Sequence, residues 1–218
     1  MVVVEGITTT YNATPSAAFK LISHTQLAGT NGYLLVSVAM TNNRSFTTCF
    51  WGSQQMSGLV NKNYSGLGQR LKIFELFDPL PGTKNIIINF NGGVYNKLAF
   101  FAKSFIGCNL GGNVLDLNGS SSPRTGNLTV SAGSWIYSMS ISTVTVNTIQ
   151  IPSGTSISQA YNFNNNRRVA GAFIGPFTAG TYQMRNTANS NLTITSIEIK
   201  QDNLAPLITG NSTMFLCF

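Results

Sequence analysis

Charged residues are scarce in this sequence. Only 9% of its 218 residues are Asp, Glu, Lys or Arg, whereas about a quarter is usual in globular proteins. Asn, Thr, Ser and Gly fill the gap, and these residues favour turns and sheet edges over helix interiors. The sequence therefore predicts a polar but largely uncharged surface, which is common in extracellular β-proteins and virion proteins.

Acidic residues are the scarcest of the charged types. Asp and Glu number 6 against 13 Lys and Arg, which gives a formal net charge of +7 at pH 7. The basic residues are scattered, and only Arg167 and Arg168 are adjacent. A nucleic-acid-binding protein usually concentrates its positive charge on one face, so nucleic acid is not an expected partner.

The residues that catalysis or metal binding would need are few and poorly spaced. Glu75 and Asp78 would project to opposite faces of a strand, which disfavours the facing carboxylate pair of a glycosidase. His24 is the single histidine, and no G-x-S-x-G elbow accompanies it. Asp116 opens a "DLNGSS" segment that begins like a calcium loop but lacks the distant bidentate Glu. We therefore predict no enzymatic activity, no cofactor and no metal.

Cysteine usage and segment lengths bear on localisation. Cys49, Cys108 and Cys217 are far apart and show no zinc-binding spacing, and two of them sit in apolar runs typical of buried thiols. The N-terminal "MVVVEGITTTYN" lacks the basic region and long apolar core of a signal peptide. No apolar run reaches the length of a transmembrane helix, so we expect synthesis in a cytoplasm and no membrane span.

Short apolar runs separated by turn residues dominate the chain. In "LKIFELFDPLPGTKNIIINFNGG" (71–93), two β-rich runs flank Pro79, Pro81 and Gly82, which suit a corner. Because the link is short, these runs are predicted to be antiparallel neighbours. In "NLTITSIEIK" (191–200) the apolar phase slips, which predicts a β-bulge near Thr195 and Ser196.

The repeated pattern predicts an all-β fold of about ten to twelve strands with no convincing helix. The expected architecture is a two-sheet antiparallel β-sandwich of the jelly-roll type, forming one domain over 16–201. An N-terminal arm (1–15) precedes it and an apolar C-terminal tail (202–218) follows. "TNGYLLVSVAMTN" (30–42) resembles "SAGSWIYSMSIST" (131–143), which we interpret as comparable strands in two similar halves of one domain.

Five segments carry a resemblance to a known module. "ISHTQLAGTNGYLLVSVAM", "FWGSQQM", "IFELFDPLPGTKNIIINF", "AFFAKSFIGCNLGG" and "NLTITSIEIK" occur in this order within about residues 17–201. They resemble a jelly-roll module of bacteriophage structural proteins and of large bacterial surface or secreted proteins. Ser53 departs from the pattern, which has Gly there. The resemblance implies a jelly roll and a virion or surface role, and it brings no catalytic motif.

The two ends of the chain are the strongest candidates for assembly contacts. Val2, Val3 and Val4 could add a strand to the sheet edge of another subunit. Met214, Phe215, Leu216 and Phe218 make the tail more apolar than a solvated tail should be. Docking of both ends onto their own sandwich is an equally supported alternative.

These observations predict a non-enzymatic structural protein of a bacteriophage virion, either a decoration, vertex, spike or fibre subunit. Its expected partners are copies of itself and other virion proteins. The alternative is a carbohydrate-binding module for a host surface glycan. Tyr64 and Tyr161, both expected in loops, are the candidate glycan contacts together with Arg167, since aromatic rings can stack on sugars while Trp51 and Trp135 suit the core.

Overall fold

The structure is a computed structural model, and it describes residues 3–12, 19–26, 28–41, 46–64, 69–91, 97–119, 124–142, 149–150, 156–157, 159–164, 167–186 and 192–202. Within these ranges the chain forms eighteen strands and no helix, which confirms the all-β class. Accordingly, no helix in the described part of the chain has the length and apolarity to cross a membrane.

The strands are numbered in chain order. They are β1 (Val3–Asn12), β2 (Phe19–Gln26), β3 (Tyr33–Thr41), β4 (Phe46–Trp51), β5 (Gln54–Gln55), β6 (Ser57–Tyr64), β7 (Gln69–Phe77), β8 (Gly82–Phe90), β9 (Lys97–Ile106), β10 (Cys108–Gly119), β11 (Arg124–Val130), β12 (Trp135–Ser142), β13 (Ile149–Gln150), β14 (Ser156–Ile157), β15 (Gln159–Asn164), β16 (Arg167–Ile174), β17 (Gly180–Asn186) and β18 (Leu192–Gln201). The count exceeds the ten to twelve predicted partly because two-residue strands such as β5, β13 and β14 have no apolar periodicity to reveal them.

The strands form four antiparallel sheets, where the sequence predicted two. Sheet A has the order β1-β9-β3-β7-β6 and sheet B the order β2-β8-β4-β5. Sheet C has the order β10-β18-β12-β16-β15 and sheet D the order β11-β17-β13-β14. Adding nine to each strand number turns sheet A into sheet C and sheet B into sheet D. The chain therefore consists of a first half (3–106) and a second half (108–201) with one connectivity.

A single residue joins the two halves. Gly107 stands between β9 and β10 with φ of +71°, a left-handed conformation that glycine adopts without strain. Its amide donates to the Thr30 carbonyl at 3.1 Å, and its carbonyl accepts from the Asp202 amide at 3.0 Å. The Gly- and Asn-rich stretch 109–127 supplies most of β10 and the start of β11.

The prediction that the runs around the Pro79-Pro81 corner pair with each other was wrong. β7 pairs with β3 and β6 in sheet A, while β8 pairs with β2 and β4 in sheet B. The corner therefore carries the chain from one sheet to another. Asp78 anchors it, because its amide donates to the Gly32 carbonyl at 2.8 Å and its carboxylate accepts from the Gly32 amide at 3.2 Å.

The predicted bulge near Thr195 and Ser196 was also wrong. β18 pairs with β12 without interruption from Trp135–Ile199 to Ser142–Leu192, and the register shifts beside β18 occur next to Gly111 of β10. Residues of β18 are buried on both of its faces. The change of apolar phase therefore reflects a strand between two packed layers, in which both faces can be apolar.

Sheet A is buried on both faces. On one face it meets sheet B, where His24 Nε2 of β2 lies 2.6 Å from Ser104 Oγ of β9. On the other face it meets sheet C, where the Tyr137 hydroxyl of β12 donates to Ser37 Oγ of β3 at 2.6 Å. We call the contact between sheets A and C the seam. β3 is accordingly a central strand with apolar residues on both sides.

The seam contains a close approach of backbone to an aromatic ring and a cation–π contact. A Cβ on Gly171 would stand 3.1 Å from the Phe101 ring, so the absence of a side chain lets the sheets approach. The Lys103 ammonium lies 4.2 Å from the centroid of the Phe173 ring, a cation–π geometry. These contacts make the two halves one packed unit across the seam.

The two halves have unequal cores. Among the residues whose burial the structure describes, the largest fully buried side chains all belong to the first half, and they include Trp51, Phe74 and Phe100. The cluster between sheets C and D contains smaller residues, namely Leu128, Val130, Ile136, Ala170, Ala172, Met184 and Ile194. Because stabilisation scales with apolar area removed from water, the second half depends more on the seam than the first half does.

The hydrogen bond across the seam can be tested by substitution. Tyr137→Phe should lower the free energy of unfolding by about 1–2 kcal/mol, because the buried Ser37 hydroxyl loses its partner. Urea denaturation followed by circular dichroism measures the loss. The double variant Ser37→Ala/Tyr137→Phe should recover part of it, since neither buried hydroxyl then remains.

Thr129→Val is the matched control. Its hydroxyl lies 2.9 Å from that of Thr181 in an exposed pair, so the change should be within about 0.5 kcal/mol. Equal effects of Tyr137→Phe and Thr129→Val would contradict the role given to the seam bond.

Candidate functional site

A repeated cross-strand pair aligns the two halves residue by residue. Thr25 of β2 pairs with Thr83 of β8, and Thr129 of β11 pairs with Thr181 of β17. Both pairs bring their hydroxyl oxygens to 2.9 Å. Counting back one residue along β2 and β11, His24 occupies the position of Leu128. The histidine therefore stands where the second half has an ordinary core residue.

His24 and Ser104 have the separation of a base and a nucleophile, but they lie in the core. Their 2.6 Å contact would suit general-base activation of a serine. Ser104 is 0% exposed and His24 is 3% exposed, and the His24 ring meets the Trp51 ring edge-on at 5.8 Å. The pair is thus enclosed between sheets A and B, where a substrate would have to displace core side chains.

The pKa of His24 reflects this environment. Burial lowers it from 6.5 to about 4, and the positive charge of Lys103 adds to the effect. The histidine is therefore neutral at pH 7 and remains so to well below the pKa of an exposed histidine. Its polar ring serves as a hydrogen-bonded core residue.

Glu198 accepts hydrogen bonds at both of its carboxylate oxygens. One carboxylate oxygen accepts from the Ser131 amide at 2.6 Å and the Ser134 hydroxyl at 2.8 Å, and the other accepts from the Asn113 amide at 3.1 Å. Burial alone would raise the pKa of Glu198, but these hydrogen bonds outweigh it and the pKa is lowered. The carboxylate ties the turn before β12 to β10 and β18.

Four other acidic side chains, those of Glu75, Asp78, Asp116 and Asp202, also hold structural contacts. Asp78 anchors its corner, the Tyr33 hydroxyl donates to Glu75 at 2.5 Å, and Asn31 donates to Asp202. Asp116 forms an ion pair with Lys62 at 2.5 Å. That pair joins β6 of the first half to β10 of the second. Among the described residues, no group of three or more His, Cys, Asp or Glu is placed to hold a metal ion.

The two thiols in the described ranges are buried. Burial raises the pKa of Cys49 and of Cys108 to about 12 in each case. Cys49 Sγ donates to Met56 Sδ at 3.4 Å. Thiols with such pKa values are not ionised at pH 7 and therefore make poor nucleophiles. Cys217 lies outside the described residues.

The predicted assembly residues are only partly within the described ranges. Val3 and Val4 lie in β1, where they are the register partners of Ile106 and Phe105 of β9. The N-terminal segment thus adds a strand to its own sheet A, and β1 forms one edge of that sheet. Val2, Met214, Phe215, Leu216 and Phe218 lie outside the described residues.

The expectation that Tyr64 and Tyr161 lie in loops was wrong. Tyr64 ends β6 and Tyr161 lies within β15. These strands are equivalent edge strands, β6 in sheet A and β15 in sheet C. Arg167 opens β16 beside β15, with Asn164 as its register partner. The Tyr and Arg positions therefore lie along sheet edges, with Tyr64 in one half and the other two in the second.

Sequence reasoning missed the buried cation at the seam. Lys103 is 4% exposed although it carries a charge. The signal was a lone lysine within the apolar run "LAFFAKSFIG", which suits a strand covered on both faces.

Comparison with protein-family models and with curated proteins gives no match.

Stability below neutral pH tests the core role of His24. As pH falls below 6.5, an unfolded histidine takes up a proton that the folded residue resists until about pH 4. Wild-type stability should therefore fall by about 2 kcal/mol between pH 7.5 and 4.5 through this residue. His24→Leu, which copies Leu128, should remove that part of the loss, as measured by urea denaturation at both pH values.

Thr25→Val is the control, because Thr25 neighbours His24 but is exposed and does not titrate. It should retain the wild-type difference between the two pH values. If His24→Leu retains it as well, the loss comes from other groups and the role assigned to His24 fails.

Proposed function

We propose that this protein is a non-enzymatic structural subunit of a bacteriophage virion, made in the host cytoplasm and incorporated as a decoration, vertex, spike or fibre protein. One observation carries the proposal. His24 and the five acids whose contacts the structure describes, namely Glu75, Asp78, Asp116, Glu198 and Asp202, hold corners, the core and the contacts between the halves. Such use of scarce reactive groups favours a scaffold over a catalyst.

Each half is proposed to be a jelly roll. In the first half, successive strands alternate between sheets A and B from β1 to β4 and again from β7 to β9. Eight strands in two antiparallel sheets, linked in this way, are typical of jelly rolls, and β6 adds a fifth strand to sheet A. The second half repeats the order.

The composition of the surface supports repeated packing. Charged residues make up 9% of the chain, and the net charge of +7 is spread along it. Copies can therefore pack through neutral faces without bringing like charges together, which would cost stability. Partners in this role are other copies of the chain and other virion proteins.

Localisation in particles tests the proposal. Antibody raised against the purified chain should label phage particles at a fixed, symmetric position in immunogold electron microscopy. Mass spectrometry of gradient-purified particles should recover the chain at a constant ratio to the major capsid protein. Particles that lack the chain while the lysate supernatant contains it would overturn the virion role.

A glycan-binding module is the second candidate, and the equivalent placement of Tyr64 and Tyr161 favours it. Both lie on edge strands, where an aromatic ring can stack on a sugar at roughly 1 kcal/mol or more per contact. On a glycan array, wild-type binding should fall at least about tenfold in Tyr64→Ala or Tyr161→Ala, which corresponds to ~1.4 kcal/mol.

Tyr182→Phe serves as the control for the array. Tyr182 lies on β17 in sheet D, whereas the edge strands β6 and β15 belong to sheets A and C. Its hydroxyl already contacts the Thr178 hydroxyl at 2.7 Å. No glycan bound by the wild-type chain, or equal binding by the alanine variants, would remove this candidate.

A further inference from the structure

Three apolar side chains lie side by side across the outer face of sheet B. Leu21 of β2 is the register partner of Ile87 of β8, and Ile87 is also the partner of Phe50 of β4. Burial alternates along β2 and β8, which places these side chains on the face away from sheet A. Leu21 is 47% exposed, and Ile87 and Phe50 are partly exposed. We call these three residues the outer row.

Neutral polar residues flank the outer row. Ser23 and Asn85 are register partners on one side of it, followed by the Thr25–Thr83 pair. On the other side, the Asn89 amide donates to the Thr48 hydroxyl at 2.8 Å. None of the described side chains that point outward from this face is charged. The face is therefore a flat, uncharged surface with an apolar centre.

The second half shows that the fold does not require an apolar row here. Counting from the aligned threonine pairs, the equivalents of Leu21 and Ile87 are Thr125 of β11 and Arg185 of β17, which are register partners. Gln150 of β13 pairs with Arg185 as Phe50 pairs with Ile87. One connectivity thus carries polar residues at these positions in sheet D and apolar residues in sheet B. The difference points to a contact made by sheet B alone.

We infer that the outer row is a contact surface for a second copy of this chain, packed face to face about a two-fold axis. A two-fold axis that lies in the contact plane, parallel to β8 and level with Ile87, would set Ile87 against its copy. The same axis would set Leu21 against Phe50, so the row complements itself. A neutral face also lets two chains of net charge +7 approach. This inference deepens the proposed virion role and rests on it for its biological setting.

The size of the face sets the strength of the contact. β2 and β8 run for eight and nine residues, which makes a face of roughly 25 Å by 15 Å at ordinary strand spacings. Two copies would then bury roughly 800 Å² in total, which is the size of a weak, transient contact. Contacts of this strength become occupied when subunits are held close together, as they are in a particle.

Sedimentation velocity of the full chain, from micromolar to submillimolar concentration, tests the inference. The wild-type chain should show a reversible monomer–dimer equilibrium. Ile87→Arg, which copies Arg185, should raise the dissociation constant by at least about tenfold, because two guanidinium groups would face each other at the axis. Gln183→Arg places the same charge change on the outer face of sheet D and should leave the equilibrium unchanged.

A second variant separates association from folding. Leu21→Thr copies Thr125, and its side chain is too exposed for the change to unfold the chain. It should also weaken the dimer, with the wild-type circular dichroism spectrum retained. A monomeric wild-type chain, or dimers unaffected by both Leu21→Thr and Ile87→Arg, would overturn the inference.

Cross-linking identifies what covers the row. Replacement of Leu21 by photoreactive p-benzoylphenylalanine should give a cross-link to sheet B of another copy, and a cross-link within one chain to residues 203–218 would overturn the inference. The virion role is judged separately by particle labelling. A labelled particle whose purified subunit never dimerises rejects the outer row alone, whereas a row-dependent dimer absent from particles rejects the virion role.

Discussion

The burial of sheet A on both faces is the constraint on which the rest of the structure depends. Sheet A supplies one wall of the first core and one wall of the seam, so its central strands β3 and β9 must carry apolar side chains in both directions. A strand with two apolar faces would aggregate if either face were left open. The second half covers the face that sheet B does not cover.

This arrangement explains why the halves differ although they share a connectivity. The first half fills its interior with large residues such as Trp51 and Phe74. In the second half, Ser138 lies opposite Ser196 on the face of sheet C that meets sheet D, and their hydroxyl oxygens are 2.7 Å apart. Hydroxyl pairs of this kind satisfy each other but contribute little apolar area. The second half accordingly draws much of its apolar burial from Tyr137 and Met139 at the seam.

The sequence was informative where the number of buried faces of a strand determines the apolar pattern of that strand. The two-faced apolar run of β3 is visible without a structure, and so is the all-β class. The pairing of strands was harder to predict, because a corner such as Pro79–Pro81 can either close a hairpin or carry the chain from one sheet to another. The phase change at Thr195 had two explanations as well, a bulge or a strand buried on both sides. Only the layer arrangement distinguishes them.

The candidate surfaces were harder to predict than the fold. Leu21, Phe50 and Ile87 are far apart in the chain, and only the register of three strands places them in one row. The alignment of the two halves has the same dependence, since the threonine pairs that fix it are cross-strand contacts. The burial of Lys103, by contrast, could have been predicted from the apolar residues on either side of it.

The one-residue link at Gly107 has a consequence for how the seam behaves on dilution. Two separate chains meeting through such a seam would part once their concentration fell below the dissociation constant. A short covalent connection instead holds the two surfaces at an effective concentration on the order of millimolar. Their pairing is therefore independent of how much protein is present, and a subunit newly released from a ribosome can complete it alone.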